Sequence, residues 1–141
     1  MKPSARRKAR SLALQALYQW HFNADSGETL ASQFLAGCNP KKVDTEYFKK
    51  ILLGTIANGA KIDQHISMHL DRKINAINPI ELAILRLATY ELVYSTDIPH
   101  KVIINEALEI TKIFGAEEGF KYINGVLDKV AKDVRSRHTA A

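Results

Sequence analysis

The sequence contains little that would connect it to a membrane or to an oxidising compartment. Its 141 residues include a single cysteine, Cys38, so no internal disulfide can form, and this suits a reducing cytoplasm. No apolar run approaches the roughly 20 residues that a membrane-spanning helix requires. The chain is therefore expected to work in the cytoplasm, without membrane contact.

The first residues are basic, free of acids and amphipathic, as in a secretion or transit sequence. The apolar stretch after Ser11 is nevertheless interrupted by Gln15 and Gln19. Trp20 and His21 then stand where a cleavage site would need small residues. We therefore expect this segment to remain in the protein as its first helix.

Signatures of catalysis and of cofactor binding are also missing. No Gly-x-Ser-x-Gly, phosphate-loop or dinucleotide motif occurs, and Cys38 has no histidine near it in sequence. His65 and His69 are spaced for one metal on a helix, but the glutamate of a zinc protease motif is absent and a further ligand would be needed. Glu117 and Glu118 are adjacent and suit a helix N-terminus better than an acid/base pair. The sequence thus predicts no enzyme, no metal and no cofactor.

The positive charge is concentrated at the start of the chain. The formal net charge is +5, and five basic residues in the first ten positions account for it, since the other basic residues equal the 15 acids in number. These five residues are Lys2, Arg6, Arg7, Lys8 and Arg10. A local positive field attracts polyanions, and arginine pairs well with phosphates. The pattern favours a nucleic-acid-binding arm over a solubilising tail.

Apolar residues recur at helical spacing in the first half, and no segment of the chain alternates like a strand. A first stripe begins at Ala9, and a short second helix is predicted at about 28–36, with Gly37 as its stop signal. Asp44 is a plausible N-cap for a long third helix. The apolar face of that helix comprises Phe48, Leu52, Ile56, Ile62, Ile66 and Leu70.

The second half begins with a strong helix-start signal. Asn78 can cap, Pro79 suits the first turn, and Glu81 stands three residues past the cap. Two further apolar stripes follow, the first ending at Gly115 as a C-cap glycine. The weakest segment, 72–78, separates the halves. The expected organisation is one compact all-α domain, 1–141, with a basic arm at about 1–10 and two three-helix bundles at about 4–71 and 78–135.

Several short blocks, spread from one end of the chain to the other, form a specific combination. They are Met1 to Arg10, Gln15-Ala16-Leu17-Tyr18, Leu85-Arg86, Tyr90-Glu91-Leu92, Asp97-Ile98-Pro99, Ile104-Asn105-Glu106-Ala107, Phe114-Gly115-Ala116-Glu117 and Asn124-Gly125-Val126-Leu127-Asp128. Together they resemble the NusB family of bacterial transcription antitermination factors. The Asn-Gly-Val-Leu-Asp block with Ile-Asn-Glu-Ala upstream is the most specific part of the resemblance. The basic arm alone would not be specific for the family.

The resemblance implies a fold of two three-helix bundles and a function without catalysis. Members of the family pair with NusE, a small-subunit ribosomal protein, and the pair binds the single-stranded boxA element of nascent RNA. The complex joins other Nus factors on RNA polymerase and suppresses termination, notably in ribosomal RNA operons. The same partners are therefore expected here.

The resemblance also implies roles for individual residues. Lys2, Arg6, Arg7, Lys8 and Arg10 match the arginine-rich RNA segment. Glu118 matches an acid near the RNA, and Lys121 and Tyr122 follow on that surface. Tyr18 and Glu81 match positions on the NusE face.

Two features of the chain depart from the family pattern. The second helix and the loop around Cys38 resemble nothing in the family, and Gly119 replaces an expected small hydroxyl residue. Some residues that the resemblance assigns to binding can instead have a purely structural role. Glu81, for example, can be only the acid of a capping box at the start of its helix. Asn105 and Asn124 are more simply interpreted as helix-packing residues.

Two other functions compete with that of a non-enzymatic RNA-binding adaptor, which makes three possibilities in all. NusB-like domains also begin ribosomal RNA cytosine methyltransferases, although the length of the chain argues against that class. The third possibility is a helical scaffold that binds protein only. Binding of single-stranded RNA, with and without NusE, would discriminate among the three.

Overall fold

A computed structural model describes residues 3–23, 25–115 and 117–139, and no strand occurs among them. This part of the chain is helical, which confirms the all-α prediction. Its α-helices are α1 (Pro3–Asn23), α2 (Gly27–Ala36), α3 (Thr45–Ala57), α4 (Gly59–Ser67), α5 (Pro79–Tyr94), α6 (His100–Phe114) and α7 (Glu117–Thr139), and a 3-10 turn (Ile74–Ala76) precedes α5.

Local hydrogen bonds explain where several helices begin. The Asn78 side chain accepts from the backbone N–H groups of Ile80 (2.9 Å) and Glu81 (3.4 Å), and Pro79 occupies the first turn of α5. Asp44 caps α3, because its Oδ1 accepts from the backbone N–H of Tyr47 at 3.1 Å. Both N-caps were predicted from sequence and are confirmed.

Helix ends follow the predicted glycines, although for different physical reasons. Gly37 ends α2, with its N–H donating to Phe34 O at 3.3 Å. Gly115 ends α6 in an extended conformation, φ −99°, and not in the left-handed region. A Cβ at Gly115 would lie 3.0 Å from Thr111 O, so close backbone approach is what favours glycine there.

The predicted long third helix is wrong, because it is broken at Asn58. This residue has φ −107° and ψ 22°, and it separates α3 from α4. Asn58 and Gly59 are consecutive residues of poor helix propensity, so the backbone leaves the helix there although the apolar stripe continues on both sides. The described chain therefore has seven α-helices rather than about six.

The chain divides into two compact units after Ala57, and not within the segment 72–78 where the sequence suggested a boundary. The first unit contains α1, α2 and α3, and α1 packs against both α2 and α3. Its fully buried residues include Ala9, Ala13, Leu30, Phe48 and Leu52.

The second unit, Asn58–Ala141, contains α4 to α7. Helices α5, α6 and α7 all pack against one another, and α4 lies against α5 and α7. Arg86 on α5 reaches Asp63 on α4 with two hydrogen bonds of 2.9 and 3.0 Å. Residues buried in this unit include Ile62, Ile66, Leu85, Leu92, Ile103, Ile123 and Leu127.

Candidate nucleic-acid interface

The basic segment is part of a packed helix and does not precede the core as an arm. Helix α1 begins at Pro3, and Ala5 and Ala9 are already buried. Asp44 ties the segment to the start of α3, since its backbone N–H donates to Ala5 O at 3.1 Å. The described residues of the basic segment therefore form the first turns of α1, in line with the expected first helix, and Lys2 lies outside the described residues.

Two of the predicted RNA-binding arginines are anchored inside the first unit. Arg6 and Arg10 are one helical turn apart, so both face Tyr47. Their guanidinium carbons lie 4.1 and 5.4 Å from the Tyr47 ring centroid. Arg6 Nε is also 3.6 Å from Asp44 Oδ2, and Arg10 is only 5% exposed. Sequence reasoning missed Tyr47, which had no local signal that distinguished it from a core aromatic.

The other two arginine-rich positions have a different environment. Arg7 and Lys8 are both exposed on α1, whereas Arg6 is half-buried and Arg10 is buried. They therefore present cationic side chains toward solvent, where a phosphate backbone can reach them. The structure thus separates the predicted set into an anchored pair and an exposed pair.

Asp44 should contribute more to stability than a surface acid does. Its carboxylate caps α3 and faces Arg6, and its side chain is only 12% exposed. Asp44→Ala is expected to lower the free energy of unfolding by about 1–3 kcal/mol, because a cap and a partly buried acceptor are both lost. Denaturant unfolding would measure the change. Asp44→Asn should recover part of it, since asparagine also caps.

Glu46 is the matched control for Asp44, because it is an exposed acid in the first turn of the same helix. Glu46→Ala should cost no more than a few tenths of a kcal/mol. Equal losses in the Asp44→Ala and Glu46→Ala variants would contradict the role given to Asp44.

An aromatic patch lies near the C-terminal end of α1. Tyr18 is half-buried, and its ring centroid is 5.0 Å from that of Phe22. Phe22 is 60% exposed, and the His21 ring meets it edge-on at 5.0 Å. Exposed aromatic side chains are enriched in protein interfaces. Tyr18 was singled out from sequence, whereas Phe22 was missed because a single apolar residue at a helix end has no periodic signal.

Glu81 lies on α5 and turns its side chain toward α7. A Cβ at Gly119 would collide with Glu81 Oε1 and would lie 2.9 Å from Glu81 Cδ. Gly119 therefore lets the carboxylate lie directly against the first turns of α7. The backbone N–H of Glu81 is bound by Asn78, so the residue takes part both in capping α5 and in packing on α7.

Tyr122 on α7 is held in place by two residues of the loop after α4. Its hydroxyl donates to Asp71 Oδ1 at 3.3 Å, and the Arg72 guanidinium carbon lies 4.4 Å from its ring centroid. Arg72 in turn donates to both oxygens of Asp71, at 2.8 and 3.4 Å. The hydrogen bond from Arg72 lowers the pKa of the Asp71 carboxyl, and burial raises the pKa of the Tyr122 hydroxyl. Glu118 and Lys121 are exposed on the same helix, and Lys121 lines one cleft with Tyr122 and Asp71.

The histidine, cysteine and acidic side chains of the described residues do not gather into a metal-binding cluster. Within 3–23, 25–115 and 117–139, no three His, Cys, Asp or Glu side chains are placed to hold a metal ion. His69 Nε2 lies 3.7 Å from Asp133 Oδ2, and Cys38 is an unpaired, half-buried thiol. None of the described helices has the length and apolar character needed to cross a membrane.

These features define a class of protein. The chain is an all-helical protein whose distinctive surfaces carry exposed cations and aromatic rings, as binding proteins for polyanions and other proteins do.

The comparison with known families identifies the chain further. The NusB family model matches residues 7–132, and the chain belongs to the NusB family. Transcription antitermination protein NusB of Shewanella sediminis is 48% identical over 92% of this chain and 97% of the relative. The protein of the same description from Coxiella burnetii is 48% identical over 92% of this chain and 94% of the relative. Family membership places the chain among transcription antitermination factors, which are regulators and not enzymes.

Solved structures agree with this assignment. The T. maritima NusB structure has a TM-score of 0.81 and 34% identity, with 91% of each chain covered. The solution structure of NusB from Aquifex aeolicus has a TM-score of 0.80 and 26% identity, with 94% of this chain and 91% of that chain covered. A crystal structure of antitermination factors NusB and NusE in complex with dsRNA shares the fold, with a TM-score of 0.83 and 24% identity over 94% of this chain and 99% of that chain.

Proposed function

We propose that this protein acts in the cytoplasm as an adaptor that binds boxA-type single-stranded RNA together with NusE, within a larger complex of Nus factors and RNA polymerase. The observation that carries the proposal is the basic helix α1, whose exposed Arg7 and Lys8 point toward solvent in a chain of this family. That a NusB of the same fold has been crystallised with NusE and dsRNA supports a function in binding NusE and RNA.

The proposed RNA contacts lie in both units. In the first unit they are Lys2, Arg6, Arg7, Lys8 and Arg10, of which Arg7 and Lys8 are the most accessible among the described ones. In the second unit they are Glu118, Lys121 and Tyr122. Exposed cations beside a fixed aromatic ring are typical of surfaces that bind single-stranded nucleic acid.

The proposed NusE contacts are Tyr18 and Glu81. The patch of Tyr18 and Phe22 supports this, since aromatic side chains with an apolar body and an exposed edge are favoured at interfaces. The half-buried carboxylate of Glu81 would supply a charged contact, which contributes chiefly to partner selectivity.

The proposal is tested by titrating the full chain with a boxA RNA oligonucleotide, with and without NusE, at several salt concentrations. RNA binding that strengthens when NusE is added is the expected result. Binding of NusE with no measurable RNA affinity in either titration would favour the protein-only scaffold, and binding of neither would overturn the proposal.

Glu118 is expected to weaken RNA binding, because its exposed carboxylate lies close in sequence to Lys121 and Tyr122. Carboxylates and phosphates repel each other, so Glu118→Gln should strengthen RNA binding by about 1 kcal/mol or less, and the gain should shrink as salt rises. Affinity for boxA RNA at two salt concentrations, with NusE present, measures this. Unchanged RNA affinity with slightly lower stability would assign Glu118 to the helix dipole instead.

A further inference from the structure

A cleft in the second unit contains residues to which the proposed function gives no role. Its volume is about 370 Å³, and it lies beside the C-terminal end of α4 and the middle of α7. One wall includes Met68 and Asp71, and the other includes Lys121, Tyr122, Gly125 and Lys129. This volume is near the lower end of the roughly 300–1,000 Å³ range of small-ligand sites, so the cleft accommodates one small group and not a helix or a duplex.

The α7 wall of the cleft is suited to a phosphate. Lys121, Gly125 and Lys129 follow one another at intervals of four residues, so they form a single row along the helix. Both lysines are exposed. A Cβ at Gly125 would meet no atom within 4 Å, so the glycine leaves the helix surface open between the positions of the two lysines. A ligand can thus approach the backbone with a cation on each side.

The remaining part of the cleft is suited to a flat ring. Tyr122 is held by its hydrogen bond to Asp71 and by Arg72 over its ring, so the ring does not need to be ordered when a ligand arrives. Met68 is 63% exposed, and a flexible thioether makes favourable contacts with aromatic rings. Asp71 is an acid in this cleft, but its oxygens already accept from Arg72 and Tyr122.

We propose that this cleft binds one unstacked nucleotide of single-stranded RNA, with the base against Tyr122 and Met68 and its flanking phosphates on Lys121 and Lys129. The inference rests on the proposed function and extends it. It adds Lys129, Met68 and Gly125 to the RNA-binding residues, and it gives Arg72 and Asp71 the role of positioning the Tyr122 ring. Stacking on aromatic rings and cationic contacts to the backbone are the usual means of holding single-stranded RNA.

The cleft is tested with the full chain and NusE by measuring affinity for boxA RNA. Gly125→Leu should weaken binding about tenfold by filling the cleft, and it should fold, since the position is open and leucine favours helix. Lys129→Ala should weaken binding about fivefold and reduce the slope of log K against log salt by about 0.7. Lys132→Ala, at an exposed lysine of the same helix outside the cleft, is the control and should leave both quantities unchanged.

A fluorescent base locates the nucleotide directly. The RNA carries 2-aminopurine at each boxA position in turn, and one position should be quenched by the parent protein and by Tyr122→Phe but not by Tyr122→Leu. Parent-like affinity of Gly125→Leu and Lys129→Ala, or quenching that does not depend on Tyr122, would overturn the cleft while leaving the proposed function in place. Absence of RNA binding by the parent protein would overturn both.

Discussion

Replacing Arg7 and Lys8 together with alanine is expected to weaken RNA binding roughly 25-fold at about 0.1 M salt while leaving stability nearly unchanged. Each phosphate contact to a single strand changes log K by about 0.7 per tenfold change in salt, which corresponds to about fivefold per contact at this concentration. Both side chains are exposed, and exposed positions contribute within about 0.5 kcal/mol to stability.

A salt series measures the loss, because the slope of log K against log salt should fall by about 1.4 when two phosphate contacts are removed. Lys41→Ala with Lys42→Ala is the matched control, since it removes the same charge from an exposed loop of the same unit. If the loop variant weakens RNA binding as much as the helix variant does, net charge and not the α1 surface controls affinity.

Arg6 and Arg10 are expected to behave differently from Arg7 and Lys8. Both stack over Tyr47, and Arg6 also faces Asp44, so replacing either should lower the free energy of unfolding. Loss of RNA binding in a variant of Arg6 or Arg10 would therefore combine two effects, a less stable fold and a lost contact with RNA. The packing of α1 therefore ties Arg6 and Arg10 to the core of the first unit, which the position of a basic segment at the start of the chain did not indicate.

Features encoded within a few residues were predictable from sequence. Asn78 and Asp44 cap their helices through hydrogen bonds that span two or three residues, so the residue types and their spacing already contain the information. The helical periodicity predicted the all-α fold for the same reason. The break at Asn58 was missed because the apolar stripe continues in phase on both sides, although it is buried in two different units.

Contacts between distant residues could not be predicted in the same way. Tyr122 and Asp71 are 51 residues apart, and nothing in either local sequence indicates that they meet. The stacking of Arg6 on Tyr47 and the approach of Glu81 to Gly119 also depend on how helices pack. Family resemblance singled out Tyr122 and Glu81, but only the structure shows what positions them.

The contact between Glu81 and Gly119 leads to a second prediction with a large expected effect, on NusE binding. Gly119 is buried against the Glu81 carboxylate, and a methyl group there would collide with the end of that side chain. Because the end of a glutamate is flexible, Gly119→Ala should displace the carboxylate and leave the helices in place. Alanine also favours helix over glycine by up to about 1 kcal/mol, so stability should be unchanged or slightly higher.

If Glu81 binds NusE from its present position, then Gly119→Ala should weaken NusE binding about tenfold, and Glu81→Lys should weaken it further, since charge reversal adds repulsion to a lost contact. Calorimetric titration with NusE in the absence of RNA measures both variants. Gly125→Ala is the control, because this glycine of the same helix faces open space and its substitution should leave NusE affinity unchanged.

A double-mutant cycle separates displacement of Glu81 from any direct effect of the new methyl group. In a Glu81→Ala background the carboxylate is already gone, so adding Gly119→Ala should have no further effect on NusE affinity. Full additivity of the two substitutions would show that position 119 acts on the partner by itself. Parent-like NusE affinity of Glu81→Lys, with lowered thermal stability, would show instead that Glu81 is a residue of helix capping and packing alone. Additive effects of Gly119→Ala and Glu81→Ala on NusE affinity and normal NusE affinity of Glu81→Lys are two different results. The cycle therefore tests where the Glu81 carboxylate lies, and not only whether it is present.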